Sequence, residues 1–250
     1  MIVIALSNQK GGVGKTTSTI ELAACFKNLG YKVLAIDLDQ QKNLSAYISA
    51  DTYGVGIYDV LKKDISVLDA IQILPEFDVL SSSAELSKAD KEFGEALDVM
   101  RLRDVLAPLD NIYDIVLIDN NPSRNILLNM TYIAADYIVI PSEADDGSVM
   151  GIESIIDDMN KYIQAGWSKA KLLGVILTKY EKTGMHKYGL SNIHELLDSK
   201  APEAFVKLVR KSIAASECKS EGTSMQLGKT TSKPAEDYRN IADTILNIIN

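Results

Sequence analysis

An α/β fold is predicted, with a doubly wound, mostly parallel sheet and helices on both faces. Three observations predict it. Short, continuous apolar runs recur along the 250 residues; longer segments of helical period separate them; and clusters of glycine or aspartate fall just past several of the runs. A chain that is 46% apolar and 24% charged can bury a sizeable core, and α/β folds commonly reach this length undivided. A single domain over residues 1–250 is therefore expected.

Ile2 to Leu6 opens the series as an unbroken apolar run, the pattern of a strand covered on both faces. A glycine-rich turn follows, and a helix begins near Thr16. Lys32 to Ile36, Phe77 to Ser81, Tyr113 to Ile118, Tyr137 to Ile140 and Leu172 to Thr178 read as further buried strands, with a last one at Phe205 to Val209. Ala84 to Leu106, Gly151 to Ile163 and Ser191 to Ser199 carry helical period between them. In the closing segment, residues 234–250, Ile241, Ile245, Ile248 and Ile249 form a stripe expected to pack on the body. Strand and helix in alternation imply ligand sites beyond the carboxyl ends of the strands.

Several function classes are disfavoured at this level. No apolar run approaches the roughly 20 residues that span a bilayer, and the first strand leads into the glycine turn without a signal peptide, so a cytoplasmic protein is expected. Cys25 and Cys218 lack ligand or disulfide spacing, and His186 and His194 read as surface residues without a metal-binding neighbour.

Chemistry concentrates in Lys10 to Thr17, which reads Lys-Gly-Gly-Val-Gly-Lys-Thr-Thr. Gly11, Gly12, Val13 and Gly14 let successive backbone N–H groups close around phosphate oxygens at a helix N-terminus. Lys15 then suits the β/γ-phosphates, the Thr16 hydroxyl suits Mg²⁺, and Thr17 completes the turn. Position 9 is Gln where the ordinary pattern wants glycine, and Lys10 is an extra lysine at the start of the loop. From loop composition alone Lys10 is either solvated or functional. Asp119 ends a strand-like run that would carry its carboxylate to the sheet edge, where it can hold Mg²⁺. Asp37 and Asp39 alternate at the end of another, with loop or turn roles also open.

The octet resembles that of the ParA/MinD family of deviant Walker A ATPases. Asp37-Leu-Asp-Gln-Gln-Lys-Asn43 is similar to the family's Asp-x-Asp-Pro-Gln-Gly-Asn segment, and Tyr113-Asp-Ile-Val-Leu-Ile-Asp119 with Pro122-Ser123 resembles its Walker B segment. The resemblance implies slow, Mg²⁺-dependent ATP hydrolysis. It makes Lys10 the signature lysine that crosses a nucleotide-sandwich homodimer to the partner's phosphates, Lys15 the lysine of its own site, and Asp39 the residue that orients water. Asp37 and Asp119 would surround the metal. Gln40 stands where the family has proline and Lys42 where it has glycine, which leaves the loop around Asp39 less constrained.

Net charge is −8, but residues 1–160 sum to −13 and residues 161–250 to +5. A basic face on an acidic body is thus allowed. The resemblance implies non-specific DNA binding by the dimer, and Lys182, Lys187, Lys207, Arg210, Lys211, Lys219, Lys229 and Lys233 are its candidates. Lys179 and Arg210 follow strand ends and would border the adenine. No helix-turn-helix segment precedes the phosphate loop, so the implied system is a small ParA partition protein at the nucleoid, discharged from DNA by a centromere-binding partner. A MinD-like division-site protein, a positioning ATPase for protein cargo and an ATP-dependent synthetase are the alternatives. Membrane attachment is not expected, because residues 234–250 set one Arg239 against Glu236, Asp237 and Asp243.

Overall fold

A computed structural model describes residues 1–145 and 147–249; Asn250, the end of the expected closing segment, lies outside them. In chain order the elements are β1 (Ile2–Leu6), α1 (Lys15–Asn28), β2 (Val33–Leu38), α2 (Asn43–Tyr47), α3 (Ile57–Lys62), α4 (Val67–Ala70), β3 (Ile71–Gln72), β4 (Asp78–Leu80), α5 (Ala89–Glu92) and α6 (Arg101–Leu106). There follow β5 (Ile115–Asn120), α7 (Ile126–Ala134), β6 (Tyr137–Ser142), α8 (Ser148–Gln164), β7 (Lys171–Tyr180), α9 (Gly184–Lys200), β8 (Phe205–Arg210), α10 (Ala214–Glu221), α11 (Met225–Gly228) and α12 (Lys233–Ile249).

Among the described residues these strands form one sheet, ordered β3-β4-β2-β5-β1-β6-β7-β8, in which only β3 runs antiparallel to its neighbour. The period of two divides its side chains between two cores. Val3, Ala5, Leu34, Ile36, Val116 and Ile118 face α3, α6, α7, α8 and α9, whereas Ile4, Leu6, Val33, Ala35, Ile115 and Leu117 face α1 and α12. Every residue of β2 and β5 is buried, as strands covered on both sides require. The central strand β1 lies between β5 and β6, and its loop to α1 opens at the carboxyl edge where the strand order reverses.

The sheet corrects the sequence-based boundaries in two places that bear on function. β2 and β5 continue to Leu38 and Asn120, so Asp37 and Asp119 lie within strands and stand opposite each other in register. The expected helix over Ala84 to Leu106 is instead broken into a 3-10 turn (Ala84–Lys88), α5, a second 3-10 turn (Ala96–Met100) and α6. Phe93 leaves helical geometry to bury its ring, Gly94 follows it, and the Asp98 carboxylate accepts from the Glu95 amide to start a new turn.

α1 is fastened to the C-terminal region by polar contacts inside the second core. The Ser18 and Tyr238 hydroxyls share a 2.8 Å hydrogen bond, and Ile241 and Ile245 of α12 are buried while Ile248 is 45% exposed. Glu21, fully buried, accepts hydrogen bonds from the Met225 amide at 2.7 Å and the Gln226 side chain at 3.1 Å.

Burial pushes the Glu21 carboxyl up to about 7, more than these hydrogen bonds bring it down. The folded chain therefore binds this proton more tightly than the unfolded chain. Its contribution is favourable at low pH and is lost as pH rises from about 4.5 through about 7. The Glu21→Gln variant is expected to be more stable than the wild type at pH 8 by about 1–3 kcal/mol and to show no gain at pH 5, measured by urea unfolding.

Candidate functional site

The octet Lys10 to Thr17 forms the turn between β1 and α1 and is held from behind by side chains of other strands. Asn8 donates to the Pro141 carbonyl at 2.8 Å and accepts from the Lys10 amide at 2.9 Å. The Thr178 hydroxyl lies 2.9 Å from the Val13 carbonyl and 3.2 Å from that of Ser142. Gly12 and Gly14 take φ of 76° and 86°, which favours glycine at both, and a Cβ on Gly14 would sit tightly, 3.2 Å from Thr178 Cγ2. A Cβ on Gly11 would meet nothing within 4 Å. The first turn of α1 carries no acidic side chain, which leaves its amides and its positive end for an anion.

Behind the loop lies a compact set of charges. Lys15 is 7% exposed, and its ammonium donates to the Lys10 carbonyl at 3.1 Å. Burial lowers the Lys15 pKa, against the opposing attraction of Asp119 and Asp39. The Thr16 hydroxyl donates to Asp119 Oδ2 at 2.7 Å, while Asp119 Oδ1 is buried without a partner. Burial and the facing Asp37 raise the Asp119 pKa well above the usual carboxylate range.

Asp37 is fully occupied by its own loop: it accepts from the Asp39 amide at 3.0 Å, the Ser45 amide at 2.9 Å and the Ser45 hydroxyl at 2.7 Å. Burial pushes its carboxyl up to about 6 despite those bonds. Asp39 lies just past β2, 8% exposed, and accepts from the Gln41 amide at 2.9 Å. Lys42 adopts φ of 56°, a left-handed geometry that glycine takes more readily than lysine. The orphaned Asp119 oxygen beside the Thr16 hydroxyl is a pair of hard oxygen donors that fits Mg²⁺, whereas Asp37, taken up by Ser45 and the Asp39 amide, stands behind them and not among the expected ligands.

Around the mouth stand the remaining candidates. The Lys10 ammonium, half exposed, is ion-paired with Asp145, and this partner raises its pKa. Lys179, left-handed at φ 52°, donates to the Gly12 carbonyl at 2.8 Å and to Glu143 at 2.6 Å. A cavity of about 320 Å³ opens beside the loop between Gly14, Thr17, Lys179, Arg210, Pro234 and Tyr238, so Lys179 and Arg210 do border one space. Arg210 is held in a bidentate pair by Asp237, at 2.9 and 2.6 Å, with Glu236 at 2.8 Å. These carboxylates raise its pKa further.

The candidate basic residues differ in their surroundings. Lys211 pairs with Glu181 at 2.9 Å and Lys229 with Glu217 at 3.3 Å, Lys207 is half-buried, and Lys182, Lys187, Lys219 and Lys233 are exposed. Asn8, Ser45, Glu143, Asp145 and Thr178 escape sequence reasoning, because none sits at a motif spacing and Glu143, Asp145 and Thr178 meet the site only through contacts distant in sequence.

Residues 1–172 match a family model described as an AAA domain. ParA, the chromosome partitioning protein of Caulobacter vibrioides, is 34% identical over 192 residues, covering 72% of this chain and 70% of the relative. The chain belongs to the ParA/MinD family of P-loop ATPases. The Bacillus subtilis family member Soj, a sporulation initiation inhibitor protein, is 28% identical over 249 residues and covers 97% of both chains. Among solved structures, an ATP complex of a Cyanothece McdA variant superposes with a TM-score of 0.89 at 21% identity over 99% of this chain and 96% of the other. Cobyrinic acid a,c-diamide synthase from Mycobacterium smegmatis, with ADP and magnesium, gives 0.85 at 26% identity over 99% and 94%. The ParA-type fold is thus shared with proteins of differing action. No helix among the described residues is long and apolar enough to cross a membrane.

Like charges facing each other in a dry site are costly unless a cation joins them. Replacing Asp119 by Asn keeps an acceptor for Thr16 and removes the repulsion with Asp37. This variant is expected to raise the unfolding free energy of the nucleotide-free protein by about 1–3 kcal/mol. Urea titration of the two proteins checks it, and a loss of stability would contradict the assignment of strain to this pair.

Proposed function

We propose that residues 1–250 form a single-domain partition ATPase that closes into a homodimer around two ATP molecules, binds DNA without sequence preference, and is released after slow hydrolysis stimulated by a centromere-binding partner. The observation that carries this reading is the divergence of two lysines from one loop. Lys15 is buried toward Asp119, within its own site, whereas Lys10 stands half exposed at the mouth beside Gly11, whose missing side chain leaves open space.

Each residue then has a task. Amides of the octet and the α1 N-terminus bind the phosphates, and the ribose and base take the cavity bordered by Lys179, Pro234 and Tyr238. The Lys15 ammonium leaves the Lys10 carbonyl for the β/γ-phosphates, and Lys10 leaves Asp145 for the partner's γ-phosphate. Thr16 and Asp119 would hold Mg²⁺, with Asp37 behind them fixing the strand end and the Asp39 loop. When bound, the metal neutralises charge on the β- and γ-phosphate oxygens. Asp39 orients the attacking water. Its loop is braced by Ser82, which donates to the Asp39 carbonyl at 2.6 Å.

ADP lacks the group that Lys10 grips, so dimerisation follows the nucleotide. For DNA contact the exposed Lys182, Lys187, Lys219 and Lys233 lead, with Lys207, Lys211 and Lys229 at the margins. Arg210 braces β8 against α12 and lines the nucleotide cavity. The burial of Ile241 and Ile245 against the body favours DNA over a membrane as the surface visited, and hence a cytoplasmic, nucleoid-associated protein. Division-site or protein-cargo positioning is the alternative, and the likeness to the cobyrinate enzyme keeps an amide-forming synthetase as another.

Two measurements test the proposal. DNA binding is expected to be tight with ATP and weak with ADP or no nucleotide, and to fall with salt on a log–log slope of about −4, the value for four to five phosphate contacts. Equal binding in every state would reduce the face to a bare basic surface. Gly11→Val is expected to bind nucleotide yet remain monomeric by light scattering, because a Cβ there meets nothing within 4 Å in its own subunit and the valine methyls would fill the facing one's place.

A further inference from the structure

Gln9, at the position where ordinary phosphate loops have glycine, is not idle. Its side-chain amide donates to Asp158 Oδ2 on α8 at 3.2 Å. The same carboxylate is 3.0 Å from Arg124 Nη2, in the loop that follows Asp119, and 2.7 Å from the Lys161 ammonium. Arg124 also donates to the Ser154 hydroxyl, one turn earlier on α8. Four residues before Ser148, the first of α8, the chain passes Ala144, and Asp145 next to it holds Lys10. One helix and the segment entering it therefore hold both residues at the mouth of the phosphate loop and the loop beyond Asp119.

We propose that Asp158 is a positioning residue for ATP turnover, joining Gln9 at the mouth of the phosphate loop to Arg124 in the loop that follows Asp119. The proposal rests on the ATPase reading given above. Asp119 and the phosphate loop must keep one relative placement for Lys15, Thr16 and the carboxylate to act on the same phosphates, and the loop after Asp119 is where that placement is adjustable. Residues 121–125 form no helix or strand; their internal tie is the Ser123 amide to the Asn121 side chain at 3.0 Å. Asp158 supplies a tie from outside.

Its placement suits positioning better than stability. The Asp158 side chain is 15% exposed and so keeps a defined pose, whereas Arg124 is 59% exposed and borders an open cleft of about 490 Å³ between α7 and α8. An ion pair this open adds little to folding. The cost of losing it falls on geometry at the two loops it joins. Neither Gln9 nor Arg124 touches Thr16 or Asp119 directly, so both act through the backbone that carries those groups.

The test is a mutant cycle in ATP turnover, with nucleotide affinity and amide exchange read in parallel. Asp158→Ala is expected to lower kcat by about five- to ten-fold with the ATP Kd changed less than about two-fold, and Asp158→Glu to recover part of the loss. Gln9→Ala and Arg124→Ala are each expected to lower kcat, and either one combined with Asp158→Ala to be no slower than Asp158→Ala alone. Amides of residues 121 and 123–126 are expected to exchange faster in Asp158→Ala. A wild-type kcat in Asp158→Ala, or multiplicative losses in the double variants, would overturn the inference while leaving the ATPase reading intact. Absence of ATP turnover in the wild type would overturn both.

Discussion

Asp37 and Asp119 face each other in register on neighbouring parallel strands, inside a sheet with apolar residues on both sides. Everything else about the site follows from keeping this like-charge pair buried. Asp37 is satisfied by Ser45 and the Asp39 amide, which bends the chain sharply after β2. Asp119 has one oxygen on Thr16 and one with no partner. Lys15 stands close enough to offset part of the charge but donates to its own loop. The protein's own groups therefore compensate this buried pair only in part.

That incompleteness is tolerated because the surrounding scaffold is stiff. β2 and β5 lie near the middle of the sheet, and the loop in front of them is pinned by Asn8 to β6 and by Thr178 of β7 to Val13. α1 is in turn bound to α12 and α11 through Tyr238 and Glu21. By contrast Lys10, Lys179 and Arg124 at the rim are 51%, 55% and 59% exposed and are paired with carboxylates of the segment after β6 and of α8. Exposed pairs of this kind exchange partners at small cost. The buried charges are thus held by strands and the first turn of α1, and the exposed ones stand at the rim.

Much of this is legible in the amino-acid sequence, for physical reasons. Gly12 and Gly14 need backbone geometry that only glycine adopts freely, and Lys15 and Thr16 are bound to their spacing by the helix that begins there, so the octet is local and readable. Continuous runs such as residues 115–118 announce buried strands, though their ends shift by one or two residues once side chains such as Asp119 find partners inside the sheet. The break at Phe93 is less readable, because the ring's burial against the core overrides a helical pattern. β3 has two residues and no pattern of its own. Asp145 and Asp158 are 135 and 149 residues from the side chains they hold, and no spacing rule reaches that far. Lys42 is an intermediate case: its departure from the family's glycine is readable, whereas its positive φ is visible only in the fold.

The central claim is that each site is completed by a lysine from a second copy, and mixing two single variants tests it most directly. Lys10→Ala keeps Lys15 for its own nucleotide and Lys15→Ala keeps Lys10 for its neighbour's, so each homodimer has two defective sites while a mixed dimer has one intact site. ATP turnover in an equimolar mixture is expected to rise well above the sum of the two variants measured separately. Turnover equal to that sum, with both proteins folded, would contradict a shared site and leave Lys10 as a surface lysine paired with Asp145.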